Sequence, residues 1–191
     1  MAGYRDVVTL SDPRALRALA HPARQALLKE LFGGRVLTAT EAAELVGLTP
    51  SAVSHHLRAL QKWGLAERAD ATGDARQRPW RSTGTTLRME ASDLPGSLAA
   101  LQSLTAGVLQ EVSDEIDAYL AAQASDPWRD SYQGLTRAEL HLTQEEAARL
   151  RGRLEELLEE FDLDRSERDR PAGARRSGLT MSLVPLEPPP G

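Results

Sequence analysis

Apolar residues recur at helical spacing in two short stretches of residues 37–60, which are separated by a glycine-containing turn. Thr38 and Glu41 have the spacing of a capping box at the start of the first stretch. Gly47 follows its last apolar residue and would end a helix at low cost in the left-handed conformation. The pattern predicts a short helix with three residues on its buried face: Ala42, Leu45 and Val46.

The second stretch predicts an amphipathic helix over residues 50–63, with Thr49 as its N-cap and Pro50 in its first turn. Successive helical residues turn by about 100°, so the apolar and polar residues fall on different sides. A helix-turn-helix presents such a polar face to the major groove of DNA. The apolar side has Val53, Leu57 and Leu60, and the polar side has Ser51, Ser54, His55, Arg58 and Lys62.

A basic β-ribbon, or wing, is predicted after this helix, over about residues 65–83. Two short strands, residues 65–69 and 78–83, flank a polar turn. Residues 51–88 contain seven Lys or Arg and three Asp or Glu, although the whole chain has a net charge of −5. A basic ribbon beside a polar helix is suited to contacts with phosphate. The arginines predicted to make such contacts are Arg76, Arg78 and Arg81.

Residues 12–89 resemble the arsenic-repressor (ArsR) family of winged-helix bacterial repressors. The segments that carry the resemblance are Leu16–Arg24 followed by Leu27, Leu28 and Leu31, then Leu48–Leu60 and Gly64–Leu65. The resemblance implies a homodimeric transcriptional regulator, usually a repressor that an effector releases from its operator in double-stranded DNA. It also implies that bases and phosphates are contacted by Pro50, Ser51, Ser54, His55 and Arg58 in the helix and by Arg76 and Arg78 in the wing.

The sequence departs from the metal-sensing members of that family, because it contains no cysteine. Sensing of soft metals through thiolates is therefore excluded. His55 and His56 are adjacent, so on a helix they point about 100° apart and cannot chelate one ion together. We predict no metal and no cofactor, and any effector is expected to be a small non-metal molecule.

The second half of the chain is acidic: residues 91–191 carry nineteen acidic and ten basic groups, against nine and thirteen in residues 1–90. An acidic surface repels DNA, so we assign DNA contacts to the first half. Apolar residues at spacings of three and four predict a helix of about 25–30 residues, which we interpret as a dimerisation helix. The alternative is a long helix packed only on its own domain. The predicted interface comprises Leu94, Leu98, Leu101, Val108, Val112, Ile116 and Tyr119.

A small strand–helix–strand subdomain is predicted over residues 126–191. Residues 137–142 and 179–183 alternate like strands, and Thr143 with Glu146 predicts a capped helix between them, before a Pro-rich tail. A candidate effector pocket lies where this subdomain would dock, although the same residues could instead simply pack the junction. Its residues are Tyr119, Trp128, Tyr132 and His141.

The predicted fold class is therefore mainly α (α+β). It comprises a winged helix-turn-helix domain over residues 1–90, a long dimerisation helix over residues 91–125 and the β-α-β subdomain over residues 126–191. No catalytic motif is recognisable, so an enzyme is not expected. No signal peptide or long apolar run is present, so we expect a cytoplasmic protein without membrane contact. The alternative function is a winged-helix protein-interaction module that does not bind specific DNA.

Overall fold

The computed structural model of the protein describes residues 5–69, 78–122, 126, 135–161 and 171–186. Most of the regular structure in these ranges is helical. Two small sheets accompany the helices. In chain order the elements are β1 (Arg5–Leu10), α1 (Pro13–Leu19), α2 (Pro22–Phe32), α3 (Ala39–Val46), α4 (Pro50–Lys62), β2 (Ala66–Arg68), β3 (Trp80–Ser82), β4 (Gly84–Met89), α5 (Ser97–Ala122) and α6 (Gln144–Glu159).

The chain divides into two compact units. The first comprises Met1–Val108 with Leu163–Arg175, and the second comprises Leu109–Asp162 with Arg176–Gly191. The boundary thus falls inside α5. None of the described helices combines the length and the apolar character needed to cross a lipid bilayer.

The hydrophobic core of the first unit is built from one face of each of its helices and from the inner sides of its strands. Leu57 and Leu60 of α4 are fully buried, as is Leu65 just after that helix. Trp80 of β3, which is 1% exposed, is the largest buried side chain among the described residues. Other core residues include Leu16, Leu19, Leu27, Leu28, Leu31, Ala42, Ala43, Val53, Ala100 and Leu104.

The predicted helix ends are confirmed. The Thr38 hydroxyl accepts a hydrogen bond from the backbone N–H of Glu41 at 3.2 Å, and the Glu41 carboxylate accepts one from the N–H of Thr38 at 2.7 Å. Gly47 ends α3 with φ 66°, in the left-handed region. The Thr49 hydroxyl accepts a hydrogen bond from the N–H of Ala52, and Pro50 is the first residue of α4. These local signals fix the bounds of the helix-turn-helix.

Leu45 does not belong to the buried face of α3, contrary to the prediction. Its side chain is 47% exposed, whereas Ala43 is 4% exposed. The helix has only eight residues, and its close packing against α2 and α4 is made by two alanines, Ala42 and Ala43, whose small side chains allow near approach. Val46 is half-buried at the edge of this contact.

The strands differ in part from the predicted ribbon. β2 and β3 form the predicted antiparallel pair, each shorter than expected, and β4 follows after a one-residue break. β4 pairs in parallel with β1, from Arg5 opposite Gly84 to Leu10 opposite Met89. This second sheet was not predicted. It joins segments almost eighty residues apart, so no hairpin turn marks it in the sequence.

The predicted C-terminal strands are wrong. Residues 135–143 and 171–185 contain no strand, so the described part of this region is a helix between irregular segments and not a strand–helix–strand unit. Leu140 is 56% exposed and Leu179 is 68% exposed. Alternating residues form a strand only when a neighbouring strand takes up the backbone hydrogen bonds, and neither segment has one among the described residues. The helix itself is confirmed, with the Thr143–Glu146 capping box at its start.

Candidate nucleic-acid interface

The polar face of α4 lies at the surface of the first unit, as predicted. Ser51, His55, Arg58 and Lys62 are exposed, Pro50 is exposed at the start of the helix, and Ser54 is half-buried on the flank. The opposite face is fully buried through Val53, Leu57 and Leu60. Because α4 contacts α2, α3 and β2, its orientation is fixed from several sides. The helix-turn-helix therefore presents hydroxyl, imidazole and guanidinium groups on one rigid face.

The ribbon beside α4 carries the next set of candidate residues. Its register places Glu67 opposite Arg81 and Arg68 opposite Trp80. Arg78, just before β3, is exposed. Arg76 belongs to residues 70–77, which lie outside the described part of the chain.

Arg81 is engaged by an acidic neighbour across the ribbon. Its guanidinium donates to the Glu67 carboxylate from Nε at 2.8 Å and from Nη2 at 2.7 Å. Both side chains are partly shielded from solvent. A phosphate contact from Arg81 would have to compete with this two-point ion pair.

Arg68 is a surface cation that the sequence interpretation missed. Its guanidinium carbon lies 3.9 Å from the centroid of the Trp80 ring, and its Nη1 donates to the backbone carbonyl of Arg78. Burial, together with the nearby charges of Arg58 and Arg78, lowers the pKa of Arg68. The sequence did contain the signal, because directly paired positions of a β-ribbon put Arg68 and Trp80 in contact on one face.

A cluster of histidines joins α2 to α4. His21 caps α2 by accepting a hydrogen bond at Nδ1 from the N–H of Ala23. Its ring centroid lies 4.7 Å from that of His56, which is half-buried on the edge of α4. Burial lowers the pKa of His56, and the neighbouring His21, Arg24 and His55 lower it further. Among the described residues, no group of three potential ligands could hold a metal ion.

The lowered pKa of His56 predicts that the protein loses stability in mildly acidic solution. In the unfolded chain His56 has a pKa near 6.5, so the unfolded state takes up the proton first as the pH falls. The contribution of His56 to the free energy of unfolding is therefore complete above pH 6.5 and is lost as the pH falls below it towards the folded pKa. Urea unfolding at about pH 7.5 and about pH 5.5 measures this loss.

Substitution separates the effect of His56 from the other titrating groups. His56→Gln should lose less stability between the two pH values than the wild-type protein. The matched control is His55→Gln, since His55 is the exposed neighbour on the same helix and its removal should leave most of the loss in place. An identical pH dependence in His56→Gln and wild type would contradict the assignment.

The predicted dimer face follows α5, which extends over 26 residues. Leu94, just before the helix, and Leu98 in its first turn are 54% and 62% exposed. The remaining predicted interface residues, Leu101, Val108, Val112, Ile116 and Tyr119, are half-buried. Ala100 and Leu104, which are buried, join this helix to the core of the first unit. The described chain thus leaves part of the apolar stripe open to solvent.

The residues of the candidate effector pocket are not brought together in the described part of the chain. Trp128 and Tyr132 lie outside the described residues, Tyr119 is half-buried, and His141 is exposed. The second unit has a shallow groove of about 270 Å³, but neither Tyr119 nor His141 lines it. Its lining residues are Leu140, Leu142, Glu146, Arg149, Leu150 and Arg153.

The fold and this surface define a winged helix-turn-helix domain. Residues 19–69 match a protein family described as a helix-turn-helix domain. That segment runs from the end of α1 to just past β2, so it includes the whole helix-turn-helix and the first strand of the ribbon. A search of curated proteins found no match.

Solved structures with some likeness to the chain include proteins from S. aureus and Lactococcus lactis. A MepR variant from S. aureus is 17% identical, with a TM-score of 0.33, and the match covers 78% of this chain and 88% of that one. A ZitR variant from Lactococcus lactis is 20% identical, with a TM-score of 0.34, over 74% of this chain and 75% of that one. Another MepR variant was solved bound to an oligodeoxyribonucleotide, at 17% identity and a TM-score of 0.32, over 78% of this chain and 88% of that one.

Proposed function

We propose that the protein is a sequence-specific DNA-binding transcriptional regulator, with α4 reading the major groove and the wing contacting the phosphate backbone. The observation that carries this proposal is the exposed face of α4, where Ser51, His55 and Arg58 stand on a helix whose other side is buried. Hydroxyl, imidazole and guanidinium groups are suited to base edges and phosphates. The match of residues 19–69 to a helix-turn-helix domain supports the same reading.

The composition of that face argues against the alternative function, a winged-helix module that binds only protein partners. Protein-binding hot spots are rich in Trp, Tyr and Arg and are packed by apolar contacts. Apart from its histidines, α4 contains no aromatic residue, and it contains no Met. Its exposed residues are polar or basic except at its first turn. The protein is proposed to act by binding and not by catalysis.

The regulator is further proposed to be a homodimeric repressor of the ArsR type, located in the cytoplasm and released by a small non-metal effector. The dimer is supported by Leu94 and Leu98, two exposed leucines at the start of the apolar stripe that a partner would cover. A two-fold dimer would also place two recognition helices about one turn of DNA apart.

The specificity of the proposed regulator can be tested without knowing its operator. Selection from a library of duplexes with a randomised centre is expected to enrich an inverted repeat whose half-sites are about 10 base pairs apart, centre to centre. Enrichment of a single half-site would contradict the dimer, and no enrichment would contradict sequence-specific binding.

Light scattering tests the dimer directly. The wild-type protein, with a chain mass of 20.8 kDa, is expected to scatter as a particle of twice that mass. Leu98→Glu should shift it towards the monomer, because a charge would be buried in the proposed interface. Ser103→Glu is the matched control: Ser103 is exposed on the same helix, about 140° around the axis from Leu98. A wild-type monomer, or equal effects of the two substitutions, would refute the proposed interface.

A further inference from the structure

The β2–β3 ribbon has two chemically different faces. Side chains alternate along a strand, so the opposed pair Arg68 and Trp80 lies on one face and the pair Glu67 and Arg81 on the other. The first face also carries Ala66 and Ser82, which are 1% and 2% exposed, and is therefore the face turned towards the core. Helix α4 contacts β2, the strand that carries Arg68.

Arg68 is held in place on that face by two contacts. Its guanidinium lies over the indole of Trp80, and one of its nitrogens donates to the carbonyl of Arg78. Trp80 is itself almost fully buried, so it gives the guanidinium a fixed support. A guanidinium has five N–H donors in one plane, and the Arg78 carbonyl occupies one donor group. The remaining donors are available to a further acceptor.

The acceptor suited to these donors is an anion. The positive charges of Arg58 and Arg78 act on Arg68, and all three side chains belong to exposed residues. Within the described ranges, none of these three arginines has a carboxylate within ion-pair distance, whereas Arg81 has Glu67. Crowded like charges repel one another, and a doubly contacted anion between them relieves that repulsion.

We propose that Arg68 and Arg78 hold one phosphate group beside Arg58, and that Trp80 fixes the guanidinium of Arg68 for this contact. This inference rests on the proposed function, in which the phosphate belongs to the DNA backbone. A phosphate held there anchors the ribbon and sets the position from which Arg58 reaches a base. In this arrangement Arg68, and not Arg81, is the main phosphate contact of the described ribbon.

The DNA test compares Arg68→Gln with Arg81→Gln, two substitutions that remove the same charge from opposite faces of one ribbon. Arg68→Gln is expected to weaken binding about tenfold for every duplex and to lower the slope of log affinity against log salt by about 1. Arg81→Gln is expected to change affinity less than about twofold with no change of slope. Equal losses in the two variants, or an unchanged slope in Arg68→Gln, would overturn the proposal.

Should Arg68→Gln fail to fold, Arg68→Lys and Arg81→Lys replace the pair. Lysine keeps the charge but lacks the planar fork that stacks on Trp80. A lower affinity in Arg68→Lys than in Arg81→Lys supports the proposal, and equal affinities overturn it.

A second experiment uses inorganic phosphate and tests the phosphate site if the wild-type protein binds no duplex. Thermal unfolding is then compared in phosphate and in chloride at equal ionic strength. Phosphate is expected to raise the melting temperature of the wild type and of Arg81→Gln, but not of Arg68→Gln. Together with the absence of duplex binding, that result would support the phosphate site, with free phosphate as its ligand, and would contradict the proposed binding to DNA. Equal shifts in all three proteins would overturn the site as well.

Discussion

Replacing Leu57 by alanine is expected to lower the free energy of unfolding by about 2–5 kcal/mol. Leu57 is 0% exposed on the inner face of α4, in the cluster that also contains Leu27 and Leu60. The loss combines the hydrophobic stabilisation given up with the removed isopropyl group and the cost of the cavity that remains. Because a domain is typically stable by only about 5–15 kcal/mol, this change is a large part of the total. Urea unfolding followed by circular dichroism measures it.

Leu45→Ala provides the matched control for Leu57→Ala. Both substitutions remove the same atoms from neighbouring helices, but Leu45 is 47% exposed. We expect its effect to be about 0.5 kcal/mol, as is usual for surface positions. Equal losses of unfolding free energy in Leu45→Ala and Leu57→Ala would show that α4 does not pack on the core as described.

Replacing Arg58 by alanine is expected to weaken binding to the operator by about 1–3 kcal/mol and to relax the preference at one base pair. Arg58 is exposed near the middle of the polar face of α4, so its loss should leave the free energy of unfolding nearly unchanged. A guanidinium at such a position can reach the two acceptors of a guanine. Anisotropy titrations against the operator and its single-base variants measure both effects.

Comparison with Arg78→Ala distinguishes recognition of bases from contact with the phosphate backbone. Arg78 lies just before β3 and is proposed to contact phosphate, so its removal should weaken binding to all sequences alike. If Arg58→Ala and Arg78→Ala reduced the affinity for every base variant by the same factor, the division of roles between the helix and the wing would be wrong.

The helix-turn-helix could be predicted in detail because its determinants are local. Thr38, Gly47 and Thr49 act on backbone groups within a few residues of themselves, and the structure contains each of these caps. The spacing of Val53, Leu57 and Leu60 likewise depends only on the period of the helix, and all three are buried.

The elements that the sequence did not reveal depend on partners distant along the chain. β1 forms only because β4 accepts it in a parallel pair, and no turn connects the two. Leu179, Met181 and Leu183 alternate as a strand would, but the described residues offer no neighbouring strand. The ribbon gives an intermediate case. The number of arginines in the ribbon suggested Arg81 as a phosphate contact. The alternation of side chains along the strand and the ion pair of Arg81 with Glu67 favour Arg68 for that contact instead.

Sequence-specific binding to DNA can be measured by fluorescence anisotropy. The protein is titrated against the duplex that flanks its own gene and against a scrambled duplex, at about 50 and 200 mM salt. We expect tight binding to the native duplex that exceeds binding to the scrambled one at both salt concentrations. Absence of binding to either duplex would contradict it and would favour the protein-interaction module. Equal and steeply salt-dependent affinity for the two duplexes would show that the interaction is only electrostatic attraction. It would contradict specificity for the native duplex.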